Sequence, residues 1–436
     1  MPPGTVERVT EVWSSERLAV GRRAWRLSLA GTLVSSLGSG LTLPFLIVYL
    51  HAVRGASLPV AGLVVALSSV IGMVSSAASG SLADRIGLGR MLAIGLLLQA
   101  IGTGLLAIGG SIAEAAIAVT INGAGNSAAW PSMNGLVSNQ VPPERRARAY
   151  ALRFGLLNAG LGVGGIVSGS VVSLEHPGSF QLVYAVDAIS TAAFAAIVVV
   201  GLRGTPGYLP DPGSVHPHED AGPRGYRSVL ADRRFLGFLA CGLLFSTFGY
   251  GQLDGPWAAF ATLVAHASPQ VVGIGFAANT AVIVVLQLAV ERATRRWRRS
   301  RMLLVTGVLW SVGWLFSGLA ALPAFAGVPA GIALALSLGV FGLGETFYSP
   351  VNGALTNALA PAHLRGRYNA LASSTWPLGG LIGPPVAGVL LGSAAPVLWV
   401  PVIAVGTAIA GLGGLRLGRV LPPEADRPPL EPVDAS

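Results

Sequence analysis

Apolar residues along this chain come in long runs separated by short polar stretches, and the runs have the length of a bilayer. A membrane-crossing helix needs about 20 mostly apolar residues. Runs of that kind fall at 27–50, 58–82, 91–110, 112–140, 149–174 and 180–201, and again at 235–262, 270–290, 302–321, 327–359, 367–391 and 396–418. The first is too long for a signal-peptide core and lacks a small-residue cleavage pattern, so it reads as a retained helix. The pattern predicts an all-α membrane protein of twelve transmembrane helices.

The polar stretches orient those helices. Arginines gather at the N-terminus, at Arg85 and Arg90, from Arg145 to Arg153 and from Arg203 to Arg234, then at Arg292 to Arg301, Arg365, Arg367 and from Arg416 onward. These are alternate connections, and only Arg54 falls in an opposite one. The positive-inside rule therefore places both termini and the long central segment in the cytoplasm. That segment carries Pro206, Gly207, Pro210, Pro212, Gly213, Pro217, Gly222 and Pro223, the composition of a linker. The expected organisation is a cytoplasmic segment 1–26, a six-helix bundle 27–201, a linker 202–232, a second six-helix bundle 233–419 and a disordered cytoplasmic tail 420–436.

The two bundles share a pattern. Gly123, Gly125, Asn126 and Pro131 recur as Gly342, Gly344, Glu345 and Pro350, and Asn134, Gly135, Asn139, Pro143 and Tyr150 recur as Asn352, Gly353, Asn357, Pro361 and Tyr368. Two parallel repeats imply a pseudo-two-fold axis along the membrane normal, with a substrate site near the midplane.

Composition narrows the function classes. Hydrophobic residues make up 52% of the 436 and charged residues 11%, against roughly 25% charged in a soluble domain. All 28 basic residues are arginine, scattered among loops, so the net charge of +9 forms no nucleic-acid footprint. Without lysine there is no P-loop to drive a pump with ATP. The single Cys241 lies in an apolar run and reads as a packed residue. His216, His218, Glu219 and Asp220 sit in the linker, where nothing fixes a coordination geometry, so no metal or other cofactor is expected. No HExxH or nucleophile arrangement accompanies the six histidines, so no catalytic residue is expected and an embedded enzyme or sensor is the remote alternative.

The stretch GSLADRIGLGRM, Gly80 to Met91, lies between the second and third helices. It resembles the G-x-L-a-D-r-x-G-r-k signature of the major facilitator superfamily, and the similarity runs from about Arg22 to Arg419, most like the drug/proton antiporter branch. The resemblance implies secondary transport by alternating access, with Gly80, Asp84, Arg85, Gly87 and Arg90 as a cytoplasmic latch. The equivalent loop in the second bundle, Glu291 to Arg301, keeps little of the signature. The glycines of that branch's fifth helix are present at Gly160, Gly162, Gly164, Gly165 and Gly169, but Gly165 stands where proline is expected. Val119 stands where the branch carries an arginine in its fourth helix.

Ionisable groups inside a membrane are costly and mark function. Glu345, Asp254 and Asp187 are the intramembrane carboxylates, candidates for proton coupling or cation binding. Such a group can load and unload a proton as its surroundings alternate between wet and dry. The resemblance assigns the cavity to helices one, four, seven and ten, which carry Glu345 and Asp254, whereas Asp187 lies on a peripheral helix. Helical spacing and the cavity helices add Tyr348, Asn352, Tyr250, Trp257, Asn122, Asn126, Trp130, Thr42 and Tyr49 as lining residues. Aromatic faces beside carboxylates suit apolar or cationic compounds. The expected protein is a monomer in the cell membrane, surrounded by lipid and binding a small-molecule substrate and a coupling ion, a proton first. Export of an amphipathic drug or metabolite is the leading expectation, and proton- or sodium-coupled uptake of a nutrient is the alternative, since a fold does not settle direction.

Overall fold

The computed structural model describes residues 3–141, 145–205, 207–210, 223–253, 255–361 and 364–427. With no water in the hydrocarbon region, a spanning chain must satisfy its backbone internally. Accordingly every apolar run is helical, and the described residues contain no strand. The long helices are α1 (Pro3–Thr42), α2 (Leu58–Ile86), α3 (Leu88–Ile108), α4 (Ile112–Gln140), α5 (Arg146–Val171), α6 (Gly178–Ala196), α7 (Arg233–Phe245), α8 (Pro269–Thr294), α9 (Arg299–Ala320), α10 (Val328–Leu359), α11 (Arg365–Leu391) and α12 (Trp399–Leu417). Among the described residues, ten helical segments are long and apolar enough to cross a membrane. The two expected spans beyond these are α4 and α11, long helices whose polar residues keep them below that mark.

Helix ends are set by local chemistry. Ser111 opens α4 with a reciprocal cap: its hydroxyl accepts from the Glu114 amide at 3.2 Å, and Glu114 accepts from the Ser111 amide at 2.9 Å. This gives Glu114 a structural role. Asp232 caps α7 by accepting from the amides of Arg234 and Phe235, and its second oxygen accepts from the Tyr368 hydroxyl at 2.9 Å. Beyond Phe245 the seventh span is irregular: a π-turn at Ser246–Tyr250, a short turn Gly251–Leu253, then Gly255 with φ +103° ahead of Pro256. A proline cannot continue the helical hydrogen bonding, and Gly255 takes a conformation that side chains resist.

The contacts divide the chain into two units that do not follow the sequence halves. The first comprises residues 1–40, 71–164 and 181–216. Its core gathers Leu92 and Leu96 of α3, Met133, Leu136 and Val137 of α4, and Phe194 and Val198 of the sixth span. Close crossing of α3 and α4 depends on Gly95 and Gly125, each with the other's carbonyl under 3 Å from where a methyl group would stand. The second unit comprises 41–70, 165–180 and 217–436. Within it, methyl groups on Gly62 and Gly388 would lie 2.3 and 2.4 Å from the carbonyls of Pro384 and Leu58, and one on Gly273 would lie 2.5 Å from that of Gly165. These backbone approaches attach parts of α2 and α5 to α8 and α11.

The segment expected to be a linker and the tail expected to be disordered both hold some structure. Leu202 and Tyr208 belong to the core of the first unit, so the linker begins folded. Residues 206 and 211–222, including the four candidate ligands from His216 to Asp220, lie outside the described residues. In the tail, Pro423–Asp426 forms a helical turn whose Asp426 is buried. Asp426 accepts from the Ser300 amide at 2.8 Å and the Ser300 hydroxyl at 3.0 Å, while Arg299 donates to the Ala425 carbonyl at 2.7 Å. The tail thus caps the start of α9, and residues 428–436 lie outside the described residues.

Candidate functional site

In the second unit the chemistry centres on Glu345, near the middle of α10 and partly buried. Asn279 of α8, 7% exposed, donates from Nδ2 to Glu345 Oε2 at 2.9 Å and to the Leu338 carbonyl at 3.3 Å. Gly342 lets the two helices meet there, since a methyl group on it would stand 2.7 Å from the Asn279 carbonyl. A neutral amide can hold a carboxyl oxygen in either protonation state, whereas a guanidinium would hold the ionised form.

One turn along α10, Tyr348 enters an aromatic cluster with Tyr250, Phe245, Trp310 and Phe341. Tyr250 stands 6.1 Å from Tyr348, 5.0 Å from Trp310 and 4.3 Å from Trp376, ring centre to ring centre. Trp310 donates to the Phe341 carbonyl at 2.9 Å and stacks on the Phe341 ring at 4.3 Å, which fixes the floor of the cluster. Trp376 is half exposed and offers an accessible aromatic face. Asn352 is partly buried two turns beyond Glu345. Asp254 lies outside the described residues.

Several expected lining residues are packed inside protein. Tyr49 is fully buried, stacks on Phe180 at 5.8 Å and accepts from the Arg54 guanidinium, which also lies over its ring. Trp257 is fully buried and donates to the Ser317 hydroxyl at 3.0 Å. Thr42 is buried at the end of α1. These three positions were expected on polarity and helix number, and neither reveals which way a side chain points.

In the first unit, Asn122 turns toward α3 and donates to the Thr103 hydroxyl at 3.0 Å. Asn126 and Trp130, one turn apart on α4, are exposed. Asp187 is buried, with Thr191 donating to it at 3.5 Å, and it packs beside Gly38 of α1. Arg153, counted with the cytoplasmic arginines though inside the fifth expected span, is 8% exposed in α5, donates to Asn134 Oδ1 at 2.8 Å and stands 5.1 Å over the Trp130 ring. In the loop expected to act as a latch, Asp84, Arg85 and Arg90 are exposed and Gly80 is uncrowded. Gly87 has φ +95°, and a methyl group there would stand 2.3 Å from the Tyr208 carbonyl, so both conformation and space require glycine.

Asn279, Trp310 and Trp376 were not singled out by sequence. Asn279 is the one member of the set that carries a signal, an amide inside an otherwise apolar run. Among the described residues no cluster of three metal-ligating side chains occurs.

The chain and its fold have clear relatives. An uncharacterised MFS-type transporter of Bacillus subtilis, YhjO, is 25% identical over 84% of this chain and 86% of its own length. The uncharacterised MFS-type transporter YdeE of Escherichia coli is 24% identical over 86% and 90%. The quinolone resistance protein NorA of Staphylococcus aureus is 28% identical over 166 residues, 38% of this chain and 41% of its own. Among solved structures, peptide transporter POT in complex with alafosfalin superposes with a TM-score of 0.71 at 16% identity, covering 92% of this chain and 96% of that one. Nucleoside transporter NupG gives 0.70 at 14% identity, covering 90% and 99%. The Major Facilitator Superfamily model matches residues 28–264 and 250–435, and with helices throughout and multiple bilayer-length apolar segments the chain belongs to that superfamily: it is a multi-pass membrane transporter of small molecules.

Proposed function

We propose that this transporter exports a small amphipathic compound in exchange for protons, with Glu345 as the carboxyl group that loads and releases the proton. The observation that carries the reading is the Asn279–Glu345 hydrogen bond at 2.9 Å beside an aromatic cluster. It fixes a carboxyl group by a neutral partner, so that either protonation state keeps the bond. Tyr250 and Trp376 supply stacking surface for the substrate, backed by the buried Tyr348 ring. Similarity to a quinolone resistance protein supports the outward direction. Asp254 is the second carboxylate of the proposal, and the chain acts as a monomer.

Everted membrane vesicles test this. Acidifying their lumen drives accumulation of an exported compound, and Glu345→Gln removes the dependence on the proton gradient while leaving the helix intact. A growth-inhibition panel comparing cells with and without the gene supplies the compound. Gradient-driven flux unchanged in Glu345→Gln refutes the coupling role, and lack of sensitivity to every compound in the panel refutes export.

A further inference from the structure

A buried cation in the first unit has no role in the coupling proposal. Arg153 lies seven residues into α5, about 10 Å from its first residue at a rise of about 1.5 Å per residue. Its guanidinium uses Nη1 on Asn134 Oδ1 and its face on Trp130, and Nε is buried with no acceptor. Among the described residues Arg153 has no carboxylate partner. The surroundings are rigid: the Tyr150 hydroxyl donates to the Asn134 carbonyl at 2.8 Å, which ties α5 to α4 beside the guanidinium. Trp130 keeps 47% of its surface exposed, so one flank of the pair is open.

A membrane protein that only needed an interfacial positive charge would leave the side chain free to reach water. Here the side chain is 8% exposed, Nη1 is bonded to a neutral amide, and Nε is buried with no acceptor among the described residues. The Nε edge, Nε–H with one Nη2–H, is the fork that takes a carboxylate in a bidentate arrangement.

We propose that Arg153, Trp130 and Asn134 form a recognition site for the oxyanion of an amphipathic ligand, a carboxylate attached to an apolar or aromatic body. Binding draws the guanidinium partly off the indole so that Nε and Nη2 face the carboxylate, while the ligand's apolar part covers the exposed side of Trp130. The proposal rests on the reading of the chain as a carrier of amphipathic compounds and adds a negative group to the expected substrate.

The test is equilibrium binding to the purified full-length protein in neutral detergent, followed by fluorine NMR line broadening. The probes are para-trifluoromethylbenzoate and its neutral amide, para-trifluoromethylbenzamide. The wild type is expected to bind the acid about tenfold tighter than the amide. Arg153→Gln loses that preference, and Arg153→Lys keeps a smaller one, since it has the charge without the fork. If Arg153→Gln does not fold, Arg153→Lys decides by the size of its preference. Tryptophan fluorescence is expected to shift on adding the acid to the wild type and not to Trp130→Phe. No preference for the acid in the wild type overturns the proposal, as does a preference that survives unchanged in the variants. Phosphatidylglycerol that depends on Arg153 while the benzoate does not would assign the guanidinium to lipid, and that also overturns it. No gradient is used, so this test can fail while Glu345-dependent flux stands, and the reverse.

Discussion

Two glycines two positions apart, Gly87 and Gly89, meet the same linker residue in different ways, and this separates their expected behaviour. Gly87 combines φ +95° with ψ 148°, a region almost confined to glycine, where a side chain costs about 1–3 kcal/mol. A methyl group there also lies 2.3 Å from the Tyr208 carbonyl and 2.7 Å from Leu209 Cα, backbone atoms that no rotamer change moves. Overpacking of that kind adds about 1–3 kcal/mol, so Gly87→Ala is expected to lose about 2–6 kcal/mol. Gly89 lies within α3 in helical conformation, and its added methyl group would stand 2.1 Å from Cδ2 of the Tyr208 ring. Gly89→Ala therefore loses only the overpacking term. Tyr208→Ala removes the ring and leaves the carbonyl in place. In a double-mutant cycle it offsets about 1–3 kcal/mol of the Gly89→Ala defect, while it adds to the Gly87→Ala defect within about 0.5 kcal/mol. Thermal unfolding can be followed with a thiol-reactive dye, because Cys241 is the single cysteine and is buried. Tyr208→Ala offsetting both glycine substitutions equally, or Gly87→Ala unfolding like the wild type, would refute the reasoning.

Two further substitutions probe the second unit. Asn279→Ala leaves Glu345 Oε2 and the Leu338 carbonyl without a donor they now share, a loss of about 1–3 kcal/mol that differs between protonation states. The midpoint of the flux-versus-pH curve in everted vesicles should move, and an unmoved midpoint with normal flux counts against a coupling role for the pair. Asp426→Ala removes both bonds to Ser300 and should lower stability by about 0.5–2 kcal/mol in the Cys241 assay, with substrate affinity unchanged. Unaltered stability would show that the tail is not a cap.

Much of the fold was legible because lipid imposes one rule on every segment, and the apolar runs state it directly. The signature from Gly80 to Met91 was equally plain as a sequence motif, since glycine at 80 and 87 and charge at 84, 85 and 90 are local features. The orientation of side chains was not. Tyr49 and Trp257 look like lining residues by type and helix, yet Phe180 and Ser317, over 60 or more positions away, take them into the interior. Arg153 falls inside the fifth expected span yet was grouped with its neighbours as cytoplasmic charge, and only the packing of α5 on α4 reveals it as buried. The Asn279–Glu345 pair spans 66 positions, and no periodicity in one helix carries information about a partner in another. The turn at Pro423–Asp426 was hidden for a related reason: proline-rich composition describes a segment by itself and says nothing of the helix start it covers.

The capping of α9 by Asp426 also orders events in the making of the protein. Ser300 leaves the ribosome 126 residues before the carboxylate that binds it. Throughout synthesis of α10, α11 and α12 the first amides of α9 lack that acceptor. A chain that stops after α12 but short of Asp426 leaves the start of α9 uncapped. For the same reason, a C-terminal fusion joined beyond Arg427 preserves the cap, and one joined at Leu421 removes it.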